Sequence, residues 1–309
     1  MKPFLLLFLS SWFILPLWSR PLDKGPSKKR YKVPRYSSKT IRDRVNILQK
    51  EIDLVYNSSV RRYIHSYVLR GRKGSELILG RSAIYFPIFD EYIEKYQMPP
   101  ALRCLAIVES ALEPKAKSPV GAAGLWQFMP KTARLYGLKI NNYVDERYDT
   151  HKATDAAIRY LADLYQMYQN WTLAIAAYNC GPGRLDKAIR KARSRRFHKI
   201  KRHLPKETQQ YVLKFAAVNY LMNYYFFHDL RPEYPDYTLQ MTHTTRVYKR
   251  TSLKSVAQET GIPFEVILQL NPTYKKKIIP PSAQGYLLVL PRLGLSQVPD
   301  IGIPFEDRL

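Results

Sequence analysis

From residue 101 to residue 112 the chain reads ALRCLAIVESAL, and this segment constrains the fold more than any other. Only Arg103, Glu109 and Ser110 in it are polar. At helical spacing Leu102, Leu105, Ala106, Glu109 and Leu112 share one stripe, while Ala101, Cys104, Val108 and Ala111 cover much of the rest. A helix apolar nearly all round is a core helix, so other elements must enclose it. A chain of 309 residues can bury such a core, and its length predicts one main domain with a smaller one beside it.

The surrounding periods are helical. Ile41, Val45, Leu48, Ile52 and Val55 step by four and three, and further helical stretches run over 60–69 and 82–96. After the apolar segment comes an irregular stretch, KSPVGAAGLWQFMP, then a short helix near Lys131. A strong helical pattern covers 152–169, another over 172–178 stops at NCGPG, and a long one spans 207–227. No period-2 pattern occurs between 41 and 230, so the main domain is expected to be nearly all-α. Beyond two prolines in 229–237 the pattern changes to a strand at 244–248, a helix from Ser252 with Gly261 as its stop, a second helix to Leu270, and a strand at 286–290. This is a small βααβ unit.

The same apolar segment holds the first chemical signal. Glu109 either faces solvent at the end of its helix, where Glu113-Pro114 follows, or is held away from water. In the second case burial raises its pKa and lets it carry a proton near neutral pH, as a general acid must. Glu113, beside Pro114, is expected to turn away. Asp145 and Glu146, in the polar stretch NNYVDERYD, read as a solvated loop.

Charge and leader narrow the setting. Lys and Arg number 50 against 25 acidic residues, a formal net charge of +25 that favours an anionic partner without choosing one. Lys2 is followed by PFLLLFLSSWFILPLW, too short for a comfortable membrane span and suited to a signal-peptide core, although the cleavage region is poor enough to leave an uncleaved anchor open. Export is the expected fate, to the periplasm or cell envelope. Nucleic-acid binding would require a cytosolic chain with a recognisable motif, and none is present. Cys104 and Cys180, the only cysteines, are too few for a disulfide framework and are expected as buried free thiols, one bridge being permitted in an oxidising compartment. The six histidines show no metal-ligand spacing and there is no phosphate-binding glycine loop, so no metal or cofactor is expected.

Four ordered motifs, IVES (107–110), AAGLWQFMP (122–130), AAYNCGPGR (176–184) and ETQQYV (207–212), resemble the lytic transglycosylases of the lysozyme-like superfamily, particularly the membrane-bound lytic murein transglycosylase D group. The resemblance implies a mainly α, lysozyme-like catalytic domain of the goose-type or soluble lytic transglycosylase kind, acting on peptidoglycan glycan strands. It makes Glu109 the single catalytic acid and base, with Ser118, Gln127, Tyr178, Asn179 and Tyr211 as hydrogen-bonding residues around it. Trp126 and Phe128 are each expected either to touch sugar or to pack in the core. The C-terminal unit, through Val256-Ala257, Gly261-Ile262-Pro263, Leu270-Asn271-Pro272 and LLVLP, resembles a LysM module, a small glycan-binding fold. The expected organisation is a signal peptide or anchor over 1–19, a basic flexible linker over 20–40 and the catalytic domain over 41–230. A linker over 231–243, a LysM-like module over 244–295 and a tail over 296–309 complete it. As a tethered second glycan site, the module is expected to aid retention on the wall more than cleavage of soluble fragments, the alternative being a degenerate module that merely packs on the main domain. Two rival readings are a hydrolytic muramidase on the same scaffold and a non-catalytic wall-binding protein.

Overall fold

The computed structural model describes residues 36–48, 52 and 56–292. The leader, most of the basic linker and the C-terminal tail lie outside the described residues.

Helices carry the main domain, in the order α1 (Ser38–Leu48), α2 (Ser58–His65), α3 (Arg72–Lys95), α4 (Cys104–Ser110), α5 (Pro130–Leu135), α6 (Thr150–Tyr168), α7 (Trp171–Cys180), α8 (Pro182–Ala192), α9 (Phe197–Ile200) and α10 (Lys206–Tyr224). A π-helical turn, Ser66–Arg70, joins α2 towards α3, and a 3-10 turn, Pro100–Arg103, leads into α4. After α11 (Tyr237–Gln240) come β1 (Thr242–Val247), β2 (Thr251–Ser252), α12 (Leu253–Thr260), α13 (Phe264–Leu270), β3 (Ile278–Ile279) and β4 (Tyr286–Pro291). Among the described residues no helix is long and apolar enough to cross a membrane.

The enclosed segment behaves as its composition requires. Leu102, Cys104, Leu105, Ala106, Ile107 and Leu112 are buried, and α10 packs across α4, α7 and α2 to close over them. Two further helices are apolar enough to be internal. α7 buries every residue from Thr172 to Ala177, with Asn170 capping its start through a hydrogen bond from the Leu173 N–H at 3.0 Å. α10 buries eleven residues, Phe215, Ala217, Val218, Tyr220 and Leu221 among them. Burial of this much apolar surface, at about 25 cal/mol per Å², is what holds the helices together.

Two differences from the sequence reading concern the borders of this domain. α3 starts at Arg72, ten residues before the expected position, because its first half, RKGSELILG, contains two glycines that weaken the helical signal. One of them is required: a Cβ on Gly80 would lie 1.8 Å from the Glu233 carbonyl oxygen. The chain around 233 therefore runs directly on α3, with the Glu233 N–H donating to Glu76 O at 2.8 Å. The expected linker over 231–243 is packed chain, and it includes α11 and the start of β1.

The C-terminal unit has the expected βααβ order, with the additional short strands β2 and β3. β1 and β4 pair antiparallel, Thr242 opposite Pro291 and Val247 opposite Tyr286. β2 and β3 form a second two-stranded pair, Thr251 opposite Ile279. Its core comprises Val247, Leu253, Val256, Ile262, Ile267, Ile279, Leu288 and Leu290, joined by Val144 from the main domain.

Candidate active site

Glu109 lies in the last turn of α4. The helix stops there because Ala111 and then Leu112 take left-handed backbones, with φ of 52° and 57°. Such a conformation is unfavourable for residues with a Cβ and must be held by its surroundings. Arg81 of α3 supplies a hold, its guanidinium donating to the Ala111 carbonyl at 3.2 Å and to the Glu113 carboxylate at 2.7 Å. Glu113 is thereby committed to Arg81. On the other side the Ser110 hydroxyl is 2.9 Å from both the Ala106 and Leu125 carbonyls, which ties α4 to the glycine-containing loop.

The Glu109 side chain is half-buried. Desolvation raises its pKa to about 7, the hydrogen bond from Tyr211 pulls it back down, and the negative charge of Glu207 adds to the rise. The Tyr211 hydroxyl donates to Glu109 Oε1 at 2.6 Å. Burial and the neighbouring Glu109 charge push the phenols of Tyr178 and Tyr211 well up, so both remain proton donors at neutral pH. The Tyr178 hydroxyl donates to the Trp126 carbonyl at 2.9 Å, which binds α7 to the loop.

The loop itself is a tight double-bridged turn, with Ala123 pairing both Lys117 and Phe128. Ser118 Oγ accepts from the Ala122 N–H at 2.9 Å, so its own proton stays available to a ligand. Gln127, half-buried and left-handed at φ 47°, donates through Nε2 to the Ala116 and Gly124 carbonyls at 3.1 and 2.8 Å. Asn179 Oδ1 accepts from the Thr208 hydroxyl at 2.7 Å, linking α7 to α10. Of the five residues expected around Glu109, only Tyr211 bonds it directly; the others brace the surrounding backbone and helices. Trp126 and Phe128 take the core alternative. Trp126 is fully buried with Nε1 donating to Thr154 Oγ1 at 3.0 Å, and the buried Phe128 ring meets Tyr178 edge-on at 6.5 Å.

Asp145 and Glu146 are not solvated. Both are buried, and each is neutralised by a cation: Arg147 pairs with Asp145 at 2.8 Å and Lys152 with Glu146 at 2.5 Å. A stretch of mixed charges in sequence is ambiguous between a wet loop and a buried network, and here Asp145, Glu146 and Asp149 each have a partner. Arg81 and Arg147 carry no mark in the sequence, and Ser110 and Thr208, though inside the IVES and ETQQYV motifs, carry no signal of the backbone and side-chain partners that the fold gives them. Cys104 and Cys180 are buried free thiols. Among the described residues no group of three or more His, Cys, Asp and Glu side chains could hold a metal.

The helical domain around the half-buried Glu109 and the βααβ unit after it are each similar to a lytic transglycosylase family. The Transglycosylase SLT domain family matches residues 87–201, and the family described as Lytic transglycosylase MltD, LysM-like domain matches residues 241–300. Membrane-bound lytic murein transglycosylase D of Escherichia coli (strain K12) is 34% identical over 236 residues, covering 74% of this chain and 48% of that protein. The chain thus spans about half the length of this curated relative. Soluble lytic murein transglycosylase of the same strain is 35% identical over 107 residues, which cover 33% of this chain and 17% of the relative. The solved 70 kDa soluble lytic transglycosylase from Escherichia coli aligns with 47% of this chain and 25% of its own, at 31% identity and a TM-score of 0.39.

Proposed function

We propose that the protein is a peptidoglycan lytic transglycosylase that cleaves the MurNAc-β-1,4-GlcNAc bond without water and leaves 1,6-anhydro-MurNAc ends. The observation that carries this reading is the state of Glu109. Its carboxyl titrates at about 7 and is oriented by Tyr211, so near neutral pH it populates both the acid and the base form. Protonated Glu109 donates to the glycosidic oxygen as the bond from that oxygen to the muramic acid C1 breaks. The carboxylate then accepts the proton of the same sugar's 6-hydroxyl as its oxygen bonds to C1. Glu109 ends protonated, as it began, and no water enters the product. The substrate supplies its own nucleophile at high effective molarity, which removes the need for a second carboxylate.

In this reading Tyr211 and Tyr178 orient the carboxyl and its surroundings, while Ser118, Gln127 and Asn179 shape the glycan-binding walls. Supporting the substrate class are the SLT and LysM-like family matches and the excess of cations, which suits a polymer carrying carboxylates. The apolar leader supports placement in the periplasm or cell envelope, where that polymer lies.

Digestion of purified sacculi followed by mass spectrometry tests the proposal. Anhydro products are lighter than hydrolytic ones by one water. Reducing-end products with the water retained would convert the assignment to a muramidase, and no release at all would point to a wall-binding protein.

A further inference from the structure

The LysM-like module is docked on the catalytic domain. Val144, inside the SLT match, is fully buried, and its neighbours in that core belong to the module, including Leu253, Ile267 and Leu288. Backbone bonds fix the contact on both sides: Asp145 N–H donates to Thr273 O at 3.0 Å, and Lys275 N–H donates to Tyr143 O at 2.9 Å. Val144 also bridges antiparallel to Tyr274. A residue of one domain therefore completes the core of the other.

Three residues further on, the same segment grips the loop beside Glu109. Arg147 forks onto Asp145, with Nε 2.9 Å from Oδ1 and Nη2 2.8 Å from Oδ2. Its remaining arm, Nη1, donates to the Gly121 carbonyl at 2.6 Å and the Phe128 carbonyl at 3.1 Å. Those two carbonyls bracket most of the 118–128 loop, which carries Ser118 and Gln127 and receives the Tyr178 hydroxyl. A buried, bidentate arginine–carboxylate pair fixes direction as well as distance. Asp145 is thus bonded through its backbone to the module and through its side chain to the residue that holds the loop.

We propose that residues 143–147 form a strap by which the LysM-like module holds the 118–128 loop in its working geometry, with Arg147 as the positioning residue. The proposal rests on the reading of that loop as part of a glycan-cleaving site. It assigns the module a part in cleavage of short soluble fragments, where a tethered anchor would contribute little. Misplacement of a positioning group by about 1 Å can cost two orders of magnitude in rate, so the effect is large enough to measure.

The test uses the full chain and two variants, with amide hydrogen exchange over 118–128 read beside kcat and KM on a soluble glycan fragment. Arg147→Lys keeps a cation opposite Asp145 but loses the fork that reaches the two carbonyls. Val144→Asp puts an unpaired carboxylate into the module core and loosens the docking. Both are expected to speed exchange in the loop and to lower kcat about tenfold, with KM changed less than about threefold. Wild-type loop exchange and kcat in Arg147→Lys would overturn the proposal, as would a Val144→Asp protein whose module exchanges faster while its loop and kcat stay unchanged. Should Val144→Asp fail to fold, Arg147→Lys decides alone. If the wild-type chain cleaves no glycan, the functional reading fails, while loop exchange still decides whether the strap exists.

Discussion

At Glu109 burial and hydrogen bonding pull in opposite directions, and burial wins. The folded protein binds the proton more tightly than the unfolded chain does, since the pKa rises from 4.5 to about 7. A carboxyl raised in this way leaves stability intact below pH 4.5 and erodes it as pH climbs to about 7, beyond which the loss is constant. The shift corresponds to a cost on the order of 3 kcal/mol at alkaline pH. Glu109→Gln keeps the oxygen that accepts from Tyr211 but cannot ionise. It should therefore lose about 10²- to 10⁴-fold in glycan cleavage while melting higher than wild type at pH 8 and nearly together with it at pH 4. Equal melting differences at both pH values would show that the carboxyl is not desolvated. Tyr211→Phe makes the complementary prediction. Removing the bond that stabilises the carboxylate raises the Glu109 pKa further, so the alkaline limb of kcat/KM should move to higher pH as overall activity falls. A limb that stays in place, or moves down, would remove Tyr211 from this role.

Among the elements, the 118–128 loop depends most on a single backbone atom. Gly124 has φ of +78°, and a Cβ there would meet the Arg147 carbonyl oxygen at 1.9 Å. Relief would require moving either the loop or the Arg147 segment. Gly124→Ala should accordingly destabilise the protein by more than about 2 kcal/mol and lower activity in whatever fraction folds, checked by urea denaturation and kcat. A variant as stable as wild type would mean that the two backbones do not approach this closely. This loop also shows where sequence stops being informative. Its glycines and its motif were visible, but the aromatic side chains within it could be sugar platforms or core anchors on the same letters. The Thr154 hydroxyl that accepts from the Trp126 indole N–H decides for Trp126, and the burial of Phe128 against Tyr178 decides for Phe128. α8 illustrates a different gap. Pro182 at its start and Leu185, Ala188, Ile189 and Ala192 along one face form a helical signal, yet the charged residues between them hid it. By contrast α4, α7 and α10 were legible because nearly continuous apolar periods leave few alternatives. The buried pairs of 145–152 were not legible, since pairing partners are set by the fold rather than by spacing.

Over the whole molecule the charge is unevenly spread. Between 184 and 206 the chain carries eleven Lys and Arg residues against the single acid Asp186, and Arg184, Lys187, Arg190, Lys191, Arg193, Arg195, Arg196, Lys199, Arg202 and Lys206 are all exposed. These residues span α8, α9 and the approach to α10, the helix that delivers Tyr211. A basic surface next to a carboxylate-bearing polymer raises local encounter, and salt screens it over a Debye length of about 8 Å at physiological ionic strength. In the proposed function the chemical step at Glu109 would occur in a partly desolvated setting, where screening is much weaker. Raising salt should therefore lower binding to sacculi and activity at limiting substrate, while turnover on saturating soluble fragments scarcely changes. Substituting Lys191, Arg193, Arg195 and Arg196 together by glutamine should reproduce the effect at low salt and flatten the remaining salt dependence. If turnover at saturation fell as steeply as sacculus binding in either experiment, the cationic surface would have to contact the reacting sugars, and encounter and chemistry would not be separate functions of this molecule.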